Sequence, residues 1–105
     1  MQGTSRSKLA AQLDRCARLC EEATSVYVER DDERDHEVVS ALLLAAAALG
    51  TASAAVEEQS SSAPTALLIA GTLACDAIDA AERRGLDARL AHCCAELRAV
   101  VEACR

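Results

Sequence analysis

Phenylalanine and tryptophan are missing from this chain, and its one aromatic residue is Tyr27. Yet 51% of the 105 residues are hydrophobic. The interior of so short a chain would normally lean on large side chains, and here they are scarce. That scarcity disfavours sandwiches and barrels, whose strands draw on aromatic and β-branched residues. Proline occurs once, at Pro64, and no glycine- or proline-rich stretch divides the chain, so we expect a single domain over residues 1–105. No glycine loop of the phosphate-cradling kind is present. Positive charge is also short. Eleven Lys and Arg face seventeen Asp and Glu, for a net charge of −6 with no basic stripe, which excludes nucleic acid as a partner. The basic residues near the N-terminus have no apolar run behind them, so no secretory signal is read there and a cytoplasmic location is expected.

What remains is alanine, leucine, valine and six cysteines. Alanine is the strongest helix former and lets helices approach closely, so the composition predicts an all-α protein. The segment from Val38 to Val56 carries no charge over 19 residues, long enough to span a bilayer. It is mostly alanine, with Ser40, Gly50, Thr51 and Ser53, and no cationic cluster marks a flank. We therefore read it as a buried helix and expect no membrane partner.

Four helices are predicted, over about 7–30, 33–58, 63–84 and 87–105. Asp31 or Asp32 is the expected N-cap of the second and Asp87 of the fourth. Pro64 opens the third helix and Gly85 ends it after Arg83 and Arg84. Leu9, Leu13, Cys16, Cys20, Ala23 and Tyr27 step by four and three in the first helix. Leu86, Leu90, Cys93, Leu97, Val100 and Cys104 do so in the fourth, and Leu68, Gly71, Cys75 and Ile78 share the rhythm in the third. Such seams pack helices at shallow angles, and short loops make the architecture an antiparallel up-down four-helix bundle. The second helix is apolar nearly all round, with a small-residue face at Ala46, Gly50 and Ala54, so a homo-oligomer through that helix is expected.

The cysteines carry the chemistry. In a reducing compartment they are thiols or metal ligands rather than disulfides. Cys20 lies nine residues before Glu29, and Cys75 nine before Arg84, each about 13 Å from the same bundle end. Cys93, six residues after Asp87, lies roughly 9 Å from that end, and Cys16 is one turn deeper than Cys20. Cys16, Cys20, Cys75 and Cys93 are thus expected to converge as ligands of a soft ion. Cys16 and Cys20, at i and i+4, face the same way. Thiolates suit Cu(I) or Zn(II), and a cysteine pair with a third sulfur opposite suits Cu(I) especially. Zinc fits less well, because no C-x2-C knuckle is present. His92, Cys94, His36 and Cys104 are secondary candidates: the histidines are read as surface residues, Cys94 as a flank or interface residue, and Cys104 as buried at the opposite end.

The stretches Arg15-Cys-Ala-Arg-Leu-Cys-Glu-Glu22, Ala74-Cys-Asp-Ala-Ile-Asp-Ala-Ala-Glu82 and Ala91-His-Cys-Cys-Ala-Glu-Leu-Arg-Ala-Val-Val-Glu-Ala-Cys-Arg105 resemble the cysteine-rich four-helix-bundle copper storage proteins. Those proteins repeat C-x3-C and C-x2-C along each helix and hold many Cu(I) ions in the bundle core. Where that pattern continues, this chain has Ala23, Tyr27, Ile78, Glu82, Leu97 and Val100, and its second helix has no cysteine. The resemblance therefore implies a cytosolic protein holding one to a few Cu(I) ions. Its alternatives are a metal-free, degenerate bundle acting as a structural or partner-binding module, and a small copper-dependent redox enzyme. No catalytic residue is assigned: a cysteine nucleophile would need a base, and only His92 or His36 could serve.

Overall fold

The computed structural model describes residues 2–105, with side chains from residue 6 onward; Met1, which opens the N-terminal stretch read above, lies outside them. The protein is all-α, with four helices and no strand among the described residues. They are α1 (Gln2–Arg30), α2 (His36–Glu57), α3 (Ala63–Arg84) and α4 (Ala88–Cys104), with a short 3-10 turn at Glu33–Asp35 leading into α2. Helices adjacent in sequence pack on one another, and α1 also packs against α4, in a body of 45 × 20 × 20 Å.

Local chemistry explains the boundaries. α1 ends where Asp31 turns left-handed at φ 49°, and α2 is followed by Gln59 at φ 55°. Asp32 caps the 3-10 turn by accepting from the Arg34 amide, while Asp35 occupies the N-cap position of α2 without a side-chain capping bond to the helix backbone. The second helix thus starts three residues later than its sequence suggests. α3 has Pro64 in its first turn and Gly85 at its C-cap, where a φ of +100° favours glycine. Asp87 caps α4 by accepting from the Leu90 amide at 2.9 Å.

The core of α1 follows the expected seam closely: Leu13, Cys16, Cys20, Ala23 and Tyr27 are buried and Leu9 is half-buried. In α4, Leu90, Cys93, Leu97 and Val100 are buried, but Leu86 is exposed ahead of the helix. The seam of α3 is different from the expected one. Leu68 is 71% exposed and Cys75 is exposed, whereas Ala70, Ala74, Ala77 and Ala81 are all fully buried with the same 4-3-4 spacing. The inward positions went to the smallest residues, because these let the helix backbones approach closely. The larger Leu68 and Ile69 were displaced to the outside.

Three polar contacts, buried or part-buried, lock the helices. Ser53 on α2 donates its hydroxyl to the Ala10 carbonyl on α1 at 2.8 Å. At one end of the molecule Tyr27 donates to Asp87 Oδ2 at 2.5 Å, and its ring lies between the Arg30 and Arg84 guanidiniums, each 4.9 Å from the centroid. Arg84 in turn donates to Asp35 Oδ1 at 2.5 Å; both side chains are buried, at 10% and 2% exposure.

Candidate functional site

α1 presents Cys16 and Cys20 one turn apart on its buried face, so both thiols reach the α1–α4 interface. α4 brings Cys93 to the same level. Cys20 Sγ lies 3.8 Å from Cys93 Sγ, and both side chains are at most 2% exposed. They belong to one hydrophobic core that also contains Leu13, Ala17, Leu90 and Leu97. All six cysteines are free thiols.

The sulfurs set one another's protonation. The Cys16 and Cys93 thiols, with burial adding to them, push the Cys20 thiol far above its ordinary value of 9.0. Cys93 moves the other way. A Cys93 thiolate accepts the Cys20 S–H, which holds Cys93 below its ordinary value against burial and against the Glu96 charge. Of the two, Cys93 is the one whose thiolate is favoured, while Cys20 keeps its proton.

The other sequence-predicted residues lie elsewhere. Cys75, expected in the cluster, is exposed and lines a groove of about 210 Å³ with Leu68, Gly71, Val101 and Cys104. Its position follows from the alanine seam of α3, which turns the Cys75 side of the helix outward. Cys104, expected to be buried apart, is half-buried in that groove, and burial followed by the Cys16 thiol raises its own. Cys94, expected on a flank, is buried at 1% exposure. α4 buries Leu90, Cys93, Cys94, Leu97 and Val100, a stripe wider than a two-position seam, because a bundle helix touches two neighbours at once. Burial raises the Cys94 thiol. His36 and His92 are exposed. His92 borders a groove of about 390 Å³ formed with Leu19, Glu22, Arg89 and Cys93, so Cys93 is the cysteine of the pair that borders a surface groove.

Among the described residues, no group of three or more His, Cys, Asp or Glu side chains is arranged to hold a metal ion. The arrangement is a close pair with Cys16 beside it. A soft ion satisfied by two sulfurs matches that pair, while an ion needing four ligands in a tetrahedron finds no such set. The chain matches no protein-family model, no curated protein and no solved structure. The likeness to copper storage proteins rests on the quoted sequence stretches.

Sequence reasoning passed over the polar knot formed by Tyr27, Asp87, Arg84 and Asp35. Its signals were present: the lone aromatic on a seam, and an aspartate just before α2.

Proposed function

We propose that this chain is a cytosolic protein that binds one soft metal ion, Cu(I), through Cys20 and Cys93, with Cys16 as the adjacent third sulfur. The observation that carries the reading is the 3.8 Å approach of two buried thiols from different helices. Their surroundings favour a soft cation. Thiolates are the preferred ligands of Cu(I), and both cysteines of the pair belong to the hydrophobic core. Cys75, Cys104, Cys94, His92 and His36 stand outside this site. The frame that goes with it is an antiparallel up-down bundle, a reading supported by which ends meet. Ala10 near the start of α1 meets Ser53 late in α2, Tyr27 late in α1 meets Asp87 ahead of α4, and Asp35 ahead of α2 meets Arg84 at the end of α3.

The test is a competition titration of reduced, oxygen-free protein against a chromogenic Cu(I) chelator. Wild type and Cys75→Ser are expected to retain one tightly held copper, while Cys20→Ser and Cys93→Ser lose it. Surrender of all copper by the wild type to the chelator would end the metal reading.

A second reading has its own observation. Leu43, Leu44, Leu68 and Ile69 are each at least half exposed on α2 and α3. Leu44 and Ile69 border an apolar groove of about 420 Å³ with Ala47, Ala48, Thr51 and Leu73. No charged residue falls between Val38 and Val56 or between Ala63 and Cys75. In a chain of net charge −6, this is the face on which a second copy meets no like-charge repulsion. The partner in this reading is a second copy of the chain, joined through α2 and α3. Both helices are also long and apolar enough to cross a membrane, with 39% and 28% of their apolar windows buried. Lipid is therefore the competing occupant that the oligomer experiment below must distinguish.

A further inference from the structure

The contact between Cys20 and Cys93 has a second chemical use that needs no metal. We propose that these two thiols are a redox pair in which Cys93 reacts first with a low-molecular-weight disulfide and Cys20 resolves the adduct, leaving a disulfide that ties α1 to α4.

The division of roles follows from access. Cys93 borders the groove of about 390 Å³ that His92, Arg89 and Glu22 also line, open to solvent on one side. Cys20 has no exposed surface and lies directly behind Cys93 at 3.8 Å. Cys93, at 2% exposure, lines the groove, whereas Cys20, at 0%, does not, so a reagent arriving from the groove comes to Cys93 first. Closing a 3.8 Å contact to the roughly 2.05 Å of an S–S bond asks for side-chain rotation rather than helix displacement. The other thiols are placed differently. Cys75 is exposed on the far groove, and Cys94, although buried, is not part of the Cys20–Cys93 contact.

The chemistry balances as thiol–disulfide exchange. The Cys93 sulfur, deprotonated to solvent, attacks one sulfur of RSSR. A Cys93–S–S–R bond forms and the reagent's S–S bond breaks, expelling RS⁻. The Cys20 sulfur, losing its proton in turn, then attacks the Cys93 sulfur and expels the second RS⁻. Both thiolates take up the released protons. Overall the two cysteines lose two electrons and two protons, and RSSR becomes two RSH.

The crosslink would join residues 73 positions apart, so it would restrict the unfolded chain strongly and raise the thermal midpoint by roughly 10 °C. It would also withdraw both sulfurs from any cation, which makes the oxidised form unable to hold the ion proposed above.

The experiment uses the full chain stripped of metal with a chelator and incubated with oxidised glutathione. Trypsin then separates the candidates, because Cys16 falls in the fragment ending at Arg18, Cys20 in Leu19–Arg30, and Cys93 with Cys94 in Leu90–Arg98. The expected product is Leu19–Arg30 joined to Leu90–Arg98, with Cys93 rather than Cys94 identified by fragmentation and by persistence of the link in Cys94→Ser. Cys20→Ser is expected to stop at a stable glutathione adduct on Cys93. Cys20→Ala repeats that measurement if the serine variant does not fold, and mapping of the wild type requires no variant. A wild-type adduct on Cys93 that is never resolved would overturn the proposal. So would a link through Cys75 or Cys104, or core thiols that stay reduced while Cys75 is modified. Because metal is absent throughout, failure here leaves the copper titration unaffected, and failure of that titration leaves this result standing.

Discussion

The Tyr27 hydroxyl donates to the Asp87 carboxylate across 2.5 Å, so the one aromatic side chain of the protein joins the end of α1 to the cap of α4. Asp87 uses its two oxygens for different tasks: Oδ1 accepts from the Leu90 amide and Oδ2 from Tyr27. Helix capping and helix–helix attachment therefore share one carboxylate. Tyr27→Phe keeps the packed ring and removes only the bond, and is expected to cost about 1–2 kcal/mol. Tyr27→Ala removes the largest buried side chain in the core, with an expected loss of about 3–5 kcal/mol. Urea unfolding followed by circular dichroism measures both; equal losses for the two variants would show that the ring contributes nothing by packing.

Arg84 and Arg83 are neighbours with opposite expectations. Arg84 pairs with Asp35 Oδ1 in a largely buried contact, and Asp35 Oδ2 has no hydrogen-bond partner. Arg84→Ala strands a buried carboxylate and is expected to destabilise the fold by about 3–5 kcal/mol. Arg83 pairs with Glu37 where both side chains are about 60% exposed, so Arg83→Ala is expected to change stability by no more than about 0.5 kcal/mol. The same unfolding measurement reads both, and similar losses would contradict the assignment of Arg84 as the buried partner.

Stability should depend on pH at both extremes through the same knot. Burial first, and then the bond to Asp87, push the Tyr27 phenol up to about 12 from its ordinary 10.0. The folded state holds that proton more tightly, so its contribution is complete below pH 10 and disappears as pH rises towards 12, a loss on the order of 2 kcal/mol. Burial raises Asp87 too, but the Tyr27 hydroxyl, the Leu90 amide and the two guanidiniums outweigh it and hold the carboxyl below its ordinary 3.8. Its contribution is present above pH 3.8 and falls away as pH drops through the lower folded value. Thiols raised by burial, Cys94 and Cys104, pull in the alkaline direction as well. The difference between wild type and Tyr27→Phe isolates the tyrosine. That difference should shrink between pH 10 and 12, and a constant difference would refute the assignment.

The apolar face of α2 and α3 makes a prediction about assembly. Leu44→Lys with Ile69→Lys places two charges on the groove without touching the core, since both residues are at least half exposed. In sedimentation velocity the wild type is expected to run as a dimer and the double variant as a folded monomer. A monomeric wild type that instead floats with lipid vesicles in a density gradient would assign the face to a membrane.

Much of this was legible in the sequence for a physical reason: α1 and α4 mark their buried faces with residues that differ visibly from their solvent faces. Counting rise per residue from the helix ends was enough to set Cys20 and Cys93 at one level. The same reasoning misplaced Cys75. In α3 the larger apolar residues, Leu68 and Ile69, drew the seam towards themselves, while the inward face belonged to Ala70, Ala74, Ala77 and Ala81. A hydrophobic pattern distinguishes apolar from polar, and α3 is apolar on both sides over its first three turns. Cys94 was misjudged because two-position seams describe helices with one neighbour, and α4 has two. The Arg84–Asp35 pair was hidden for another reason. Two charged residues 49 positions apart give no periodic signal, and only the meeting of helix ends shows that they are buried.

The alanine seam of α3 makes the protein respond unequally to change. Shortening a side chain there can remove only a methyl group, so cavities, the usual source of severe core damage, have little room to form. Lengthening one presses on closely packed helices and forces their side chains or backbones to shift. Random substitution in this helix should therefore spare the losses and punish the gains, the reverse of what a leucine-filled interior suffers.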